Sequence, residues 1–299
     1  MNLKKINPLF QQLETDYLYH LGIDSSMPLE SLFSDIKYVI FSRYNDDTSL
    51  FVHEFAKQWY QIKEEDFEFK PLFKTERYHL HKVGPILAIS YGVGAQSMSI
   101  CLNEIVKLLV HAKVPDSVTF LKIGPAGGIG ISPGEIIISN AALNHKLEQS
   151  ISIIACGEEH NYSTHLDQNI INELTTYLPI YQKINPISVQ TGAVLNASDY
   201  YESQARLNGF LSLPYSTEAQ DAYLKKLKNL GVKSIDMESL YFAGFCNQLD
   251  IKTGIVNLII VNRLLGDDIL INKMQQFEFL RHTFQFVIHY IIHKLKGTL

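Results

Sequence analysis

Short apolar runs alternate with segments of helical spacing along the whole chain of 299 residues. The apolar runs predict buried strands, and apolar positions three and four residues apart predict helices with one buried face. This alternation predicts the α/β class, with a three-layer arrangement of helices around a sheet. The predicted strands cover residues 37–41, 78–83, 86–90, 118–123, 135–139, 187–195 and 253–261. The predicted helices cover residues 49–61, 97–112, 166–178, 219–230, 234–245 and 277–296.

Residues that favour caps, bulges and turns refine these boundaries. We expect Ser97 to cap the N-terminus of the helix that follows it, and Gly231 to end the helix before it. Gly192 is expected to mark a bulge within its strand. The start of the chain is more polar than the rest, so we divide the chain into an N-terminal arm, residues 1–35, and a single domain, residues 36–299.

Composition excludes several classes of protein. The chain has 46% apolar and 19% charged residues, which is typical of a globular protein. A net charge of −5 implies no basic surface for nucleic acid. No apolar stretch approaches the roughly 20 residues that cross a bilayer, and no apolar core follows the N-terminal lysines. We therefore expect a cytoplasmic protein without a nucleic-acid or membrane partner.

The cysteines give no sign of a metal site or a disulfide framework. Cys101, Cys156 and Cys246 lie far apart, and no CxxC pair is present. Their number is odd, which does not fit a framework of paired cysteines. All three stand in apolar contexts, so we expect them to be small buried hydrophobic side chains.

Motifs for metals and cofactors are weak. The pair Asp267 and Asp268 follows a glycine, a position where turns and caps are more common than metal sites. His289 and His293 lie one helical turn apart but lack the glutamate of the HExxH zinc motif. The segment 92–97 lacks the third glycine of a dinucleotide fingerprint. We predict neither a metal nor a cofactor.

The most informative stretch runs from Thr119 to Gly134. An apolar run that contains Lys122 enters a predicted turn built almost wholly from Gly, Pro and Ala. Small residues let the backbone approach a ligand closely, and ligands of open α/β folds bind at strand ends. We therefore expect Gly127, within this turn, to contact the substrate.

Together with this turn, four further motifs resemble the nucleoside phosphorylase superfamily of trimeric and hexameric type. The resemblance is greatest to uridine phosphorylases of the animal kind, because the segment 199–209 is absent from purine-specific relatives. It covers nearly all of the chain and implies a single domain with a central mixed, twisted sheet. It also implies a homodimer or a larger homo-oligomer with shared active sites. The motifs are Gly92-Val-Gly-Ala-Gln-Ser97, Tyr200-Tyr-Glu-Ser-Gln-Ala-Arg206, Asp236-Met-Glu238 and Asn262-Arg263.

The resemblance assigns the base to one segment. Gln204 and Arg206 are two residues apart, so on an extended segment both side chains would point the same way. An amide offers a donor and an acceptor, which match the carbonyl and N–H of a uracil edge, and Arg206 adds a donor to the remaining carbonyl. Tyr200 takes the place of an aromatic ring against the base. Arg263 resembles an arginine behind the uracil, and a salt bridge with Asp267 or Asp268 is an equally good reading.

The resemblance assigns the sugar to the Asp-Met-Glu motif. Glu238 would accept hydrogen bonds from two ribose hydroxyls, because a carboxylate has two acceptor oxygens. Met237 would pack against the sugar face. His20 falls where the family supplies a histidine to the 5′-hydroxyl from a neighbouring subunit. Gln204, Arg206 and Glu238 are thus the predicted catalytic residues.

The predicted phosphate site departs from the family pattern. Arg77 keeps an arginine that the partner subunit donates. Lys122 stands where an arginine is usual, so it keeps the charge but not the bidentate fork. Pro125 replaces a threonine and removes a hydroxyl and an N–H.

The first loop departs from the pattern as well. It lacks the expected pair of glycines, and its arginine, Arg43, is out of place against the family pattern. We expect Asp46 and Asp47 to repel phosphate.

The implied reaction is cleavage of the N-glycosidic bond of uridine, with phosphate as co-substrate, to give uracil and ribose 1-phosphate. The substituted phosphate ligands leave two alternatives open. One is a phosphate-independent nucleoside hydrolase, since the turn Pro125-Ala-Gly-Gly128 resembles that of hydrolytic relatives. The other is a non-catalytic nucleoside-binding protein.

Overall fold

The computed structural model describes residues 1–2, 5–62, 70–73, 75 and 77–297. Its strands, in chain order, are β1 (Tyr17–Leu18), β2 (Ile23–Asp24), β3 (Tyr38–Ser42), β4 (Leu80–Val83), β5 (Ile86–Ser90), β6 (Thr119–Gly128), β7 (Ile136–Leu143), β8 (Ser150–Ala155), β9 (Glu158–Ser163), β10 (Val189–Asn196), β11 (Val232–Asp236) and β12 (Lys252–Asn262). The helices are α1 (Leu29–Phe33), α2 (Asn45–Tyr60), α3 (Ala95–His111), α4 (Gln168–Gln182), α5 (Thr217–Asn229), α6 (Ser239–Gln248) and α7 (Lys273–Leu295).

Eight strands form one mixed sheet in the order β11-β10-β7-β12-β6-β3-β5-β4. Strand β3 runs parallel to β5 and β6, and β6 runs parallel to β12, whereas β7 and β12 are antiparallel. Strand β11 also pairs with β6, so β11, β10, β7, β12 and β6 form a closed circuit. Helices α2 and α4 pack against α7, and α1 and α6 pack against α3. The prediction of an α/β domain with a central mixed sheet is confirmed.

The predicted turn after Lys122 is wrong, because β6 continues through it to Gly128. Pro125 pairs with Leu258 of β12, and the last two glycines of β6 pair with β11 on the other side. At Gly128 an added Cβ atom would lie 2.6 Å from a methyl carbon of Ile259. The small residues therefore let β6 pack closely between two neighbouring strands.

Several other boundaries confirm or correct the sequence predictions. A register shift follows Gly192, and Gly231 has the positive φ of a residue just after a helix. The predicted helix start at residue 234 is wrong, because residues up to Asp236 form β11. Ser97 is not a cap: Gly94 holds that position, and the Ser97 hydroxyl donates to the carbonyl of Tyr91.

The start of the chain contributes to the main core. Leu18, Leu21, Ile23 and Phe33 are buried in the cluster that also holds the central strands. The boundary at residue 35 stays a prediction.

One cysteine departs from its prediction. Cys101 and Cys246 are buried, but Cys156 is exposed at the tip of the β8–β9 hairpin. Because Cys156 lies in the tight turn of this hairpin, its side chain is exposed and does not pack in the core.

Candidate active site

The ends of β3, β5, β6, β11 and β12 surround a cavity of about 180 Å³. Six of the residues predicted to bind or convert substrate line it, although their sequence positions span more than a hundred residues. Apolar side chains from the same strand ends complete its wall. The six are Gly127, Tyr200, Gln204, Arg206, Met237 and Glu238.

Gln204 and Arg206 meet on one side of the cavity. The segment is not extended as predicted: a short 3₁₀ turn ends at Gln204, and Ala205 takes the left-handed conformation. The Arg206 Nε–H still donates to Oε1 of Gln204 at 3.4 Å, because the turn folds the two side chains together. The guanidinium of Arg206 lies 4.1 Å from the ring centroid of Tyr200. Gln204 and Arg206 are 4% and 2% exposed, so a ligand that reaches them is largely removed from water.

Asp267 holds this segment from behind. Its carboxylate accepts Nη2 of Arg263 at 2.8 Å and the backbone N–H of Leu207 at 2.7 Å. Its carbonyl accepts Nη1 of Arg206 at 2.6 Å. Arg263 also donates to the backbone carbonyl of Gln204 at 2.9 Å. The salt bridge of Arg263 with Asp267 is therefore formed, and it leaves Arg263 behind the segment 204–206 and outside the cavity wall. Its role behind a uracil stays a prediction.

Glu238 reaches the cavity at the start of α6. Its Oε1 accepts the backbone N–H of Gly94 at 2.7 Å, which ties it to the loop after β5. Lys122 Nζ lies 3.9 Å from Oε2 of Glu238. Burial raises the pKa of Glu238, and Lys122 and the Gly94 N–H oppose that rise. The carboxylate is 6% exposed and has one oxygen tied to backbone, so its position is fixed.

Lys122 does not line the cavity. Its side chain is fully buried, and Nζ donates to Oδ2 of Asp236 at 2.9 Å. Burial acts to lower the pKa of Lys122, but Asp236, Tyr91 and Glu238 outweigh it and raise the pKa. The charge of Lys122 is thus compensated by two carboxylates beneath the cavity.

Members of one protein family resemble this chain over most of its length. A sequence profile of the phosphorylase superfamily matches residues 47–279. The uridine and thymidine phosphorylase of Caenorhabditis elegans is 33% identical over 97% of this chain and 95% of its own. This chain belongs to the phosphorylase superfamily. Human uridine phosphorylase 2 is 33% identical over 90% of this chain and 86% of its own. The uridine phosphorylase of Schistosoma mansoni, solved with uracil, has a TM-score of 0.88 at 29% identity, over 96% of this chain and 98% of that chain.

His20 and Arg77 lie near each other in this member of the phosphorylase superfamily. Neither residue lines the cavity. His20 Nδ1 is 2.6 Å from Oε1 of Glu104. The Thr75 hydroxyl donates to the carbonyl of His20 at 2.7 Å and accepts the backbone N–H of Arg77 at 3.2 Å. Two residues far apart in sequence, both predicted to serve a neighbouring subunit, therefore form one local cluster.

The sequence assigned no role to two residues that line the cavity, Arg43 and Tyr91. Arg43 follows β3, and its departure from the phosphate pattern of the family stays a prediction. The Nε of Arg43 is buried, and no described residue accepts its hydrogen. Asp46 and Asp47 form the first turn of α2, and neither lines the cavity. The signal in the sequence was the position of Arg43 directly after a buried strand.

Within the described ranges, no group of three or more His, Cys, Asp or Glu side chains is placed to hold a metal ion. The helices of those same ranges include none with the length and apolar character of a membrane span.

Proposed function

We propose that this protein is a uridine phosphorylase, which cleaves uridine with inorganic phosphate to give uracil and ribose 1-phosphate. The observation that carries the proposal is the meeting of Gln204, Arg206 and Glu238 in one small cavity. The uridine phosphorylases among its relatives support the choice of a pyrimidine nucleoside. In the reaction the bond from C1′ to N1 breaks with its electron pair passing to uracil. A phosphate oxygen forms the new bond to C1′, and the uracil anion takes a proton from solvent.

The base end of the cavity lowers the energy of the departing uracil anion. Gln204 pairs its amide with one carbonyl and the N–H of uracil, and Arg206 donates to the other carbonyl. Preorganised donors favour the transition state because negative charge develops on the base as the bond breaks. Tyr200 packs beside the base, with its ring already ordered by the guanidinium of Arg206.

The sugar end orients the ribose. Glu238 accepts hydrogen bonds from the two ribose hydroxyls, and Met237 packs against the sugar face. The N–H of Gly94 fixes Oε1 of Glu238, so the carboxylate is held in place before the sugar arrives. Such orientation lowers the barrier because the entropy of alignment is lost on binding rather than in the transition state.

A second copy of the chain completes the site. We propose that His20 of one protomer donates to the 5′-hydroxyl and that Arg77 reaches the phosphate of its partner's cavity. The support is the local cluster of these two residues outside their own cavity. A homodimer, or a larger assembly built from it, is then the active form.

The remaining parts of the proposal concern partners and location. The protein uses phosphate as a co-substrate and needs no metal or other cofactor. It works in the cytoplasm on a small nucleoside, without a nucleic-acid or membrane partner. The three cysteines are unpaired in the structure, as suits a reducing compartment. Residues 1–35 form an arm of the single domain.

Uracil release from uridine tests the proposal. We expect release that depends on phosphate and falls at least about tenfold in Gln204→Ala and Glu238→Ala, because each loses a buried hydrogen-bonding group. Gln182→Ala, at an exposed helix end, serves as the control and should retain full activity. Release without phosphate would indicate a hydrolase. No release, with protection of the protein by uridine against heat, would indicate a binding protein.

A further inference from the structure

We propose that Arg43 binds the phosphate co-substrate in the cavity of this protein. The inference rests on the proposed phosphorolysis and names the side chain of the same protomer that supplies a cation for the tetrahedral oxyanion, in addition to Arg77 from the neighbouring protomer. Arg43 would thereby replace the phosphate ligands that the family pattern places at the positions of Lys122 and Pro125.

Arg43 carries an unsatisfied hydrogen-bond donor. Arg43 lines the cavity, and its Nε–H is buried without an acceptor among the described residues. Buried polar groups are nearly always paired, and a charged donor left without a partner is costly. Arg43 Cζ lies 4.2 Å from the ring centroid of Tyr44, which holds the guanidinium plane in one orientation. A bound oxyanion would supply the missing acceptor.

The two other cations near the cavity, Lys122 and Arg206, already donate hydrogen bonds to protein groups. Lys122 is compensated by Asp236 and Glu238 and is shielded from the cavity. Arg206 donates to the carbonyl of Asp267 and to Gln204, and it lies over the Tyr200 ring. Burial raises the pKa of Asp47 and the charge of Arg43 opposes that rise, so Arg43 also has a carboxylate nearby. Its Nε–H nevertheless has no acceptor among the described residues, so of the described cations that line the cavity Arg43 keeps a donor for an anion.

Arg43 and Glu238 are both hydrogen-bonded to the loop after β5. The carbonyl of Arg43 accepts the backbone N–H of Gly92 at 2.9 Å, and two residues later Gly94 donates to Glu238. One short loop therefore holds the cation and the ribose-binding carboxylate at fixed positions. An oxyanion at Arg43 would lie on the sugar side of the cavity, where the attack on C1′ takes place.

Phosphate kinetics of Arg43→Gln test the inference. We expect the KM for phosphate to rise about ten- to a hundredfold, because one charge-assisted hydrogen bond is lost, while the KM for uridine stays within about twofold. Arg43→Lys keeps the positive charge but lacks the paired N–H donors of the guanidinium, so it should give an intermediate KM for phosphate. Arg281→Gln, which removes a half-buried arginine paired with Glu278 on α7, is the control and should match the wild type.

A second readout does not depend on catalysis. Millimolar inorganic phosphate should raise the Tm of the wild type and of Arg281→Gln but leave that of Arg43→Gln unchanged. An unchanged phosphate KM and thermal shift in Arg43→Gln would overturn the inference. If Arg43→Gln does not fold, Arg43→Lys decides in the same way, since a wild-type phosphate KM would overturn it.

The failure of the proposed function would look different. In that case the wild type would release no uracil in a phosphate-dependent manner. A thermal shift by phosphate that requires Arg43 would still support the anion site, and its absence from the wild type would refute it.

Discussion

Nζ of Lys122 and Oδ2 of Asp236 are 2.9 Å apart, and both side chains are removed from water. The pair joins the middle of β6 to the end of β11 beneath the cavity. Asp236 Oδ1 in turn accepts the N–H of Ser239 at 3.1 Å, so the start of α6 is fixed by the same carboxylate. This arrangement positions Glu238, which lies between Asp236 and Ser239 in the chain.

Removing Lys122 should destabilise the fold. Lys122→Met leaves the carboxylate of Asp236 buried without its partner, which costs about 3–5 kcal/mol in the free energy of unfolding. Urea denaturation measures the change. Lys225→Met removes an exposed pair with Asp221 and should cost less than about 1 kcal/mol. Equal effects of the two substitutions would show that the buried pair has no special structural role.

Asp267 should control the base-facing segment without touching the substrate. Asp267→Asn weakens the salt bridge to Arg263, and we expect kcat/KM for uridine to fall about tenfold while the KM for phosphate stays constant. The neighbouring Asp268→Asn is a matched control, because Asp268 is exposed and accepts from the side chain of Asn208. A loss of the same size in both variants, or a rise in the phosphate KM, would argue against a positioning role.

Shared sites should be detectable by complementation. One chain carries His20→Ala and Arg77→Ala, and the other carries Glu238→Ala. Random mixing gives half mixed dimers, each with one intact site, so we expect about a quarter of the wild-type activity from two inactive parents. Co-refolding followed by a uracil-release assay measures it. Activity that stays at the level of the separate parents would place every active-site residue within one protomer.

His81 should make stability fall in acid. The side chain is 1% exposed on β4, and burial, helped by His79, lowers the pKa of His81 from 6.5 to about 4. The folded state therefore keeps His81 neutral while the unfolded chain takes up a proton. The contribution of neutral His81 to the free energy of unfolding is complete above pH 6.5. It is lost as the pH falls towards 4, by roughly 3 kcal/mol.

Urea denaturation of His81→Gln between pH 6.5 and 4.5 tests this. The variant should have a flatter pH dependence than the wild type, and His282→Gln, at an exposed position of α7, should keep the wild-type slope. Parallel slopes for all three proteins would contradict the assignment.

The apolar pattern predicted the buried strands of the central sheet, but it did not predict the exposed strands β8 and β9. Buried runs such as Ile86–Ser90 were placed correctly because a strand covered on both faces is continuously apolar. The β8–β9 hairpin escaped prediction because its residues are half-buried or exposed and show no alternation. Its signal was the Cys156-Gly157 turn, where both residues have positive φ.

The site was partly predictable for a similar reason. Residues carried by recognisable motifs, such as Gln204 and Glu238, meet in the cavity. The partnership of Lys122 with Asp236 spans 114 residues and depends on strand order, which local sequence does not encode. Arg43 received no role from the sequence because its loop lacks the glycine pair of the family, and the packing of β3 beside β5 brings it to the cavity wall.

Synthesis of uridine from uracil and ribose 1-phosphate tests the central claim most directly. A phosphorylase must catalyse this reverse reaction, because both directions pass through the same transition state. We predict that the wild type forms uridine and releases inorganic phosphate in equal amounts, and that Glu238→Ala does not. Cleavage of uridine without any reverse synthesis would contradict phosphorolysis and make water the acceptor.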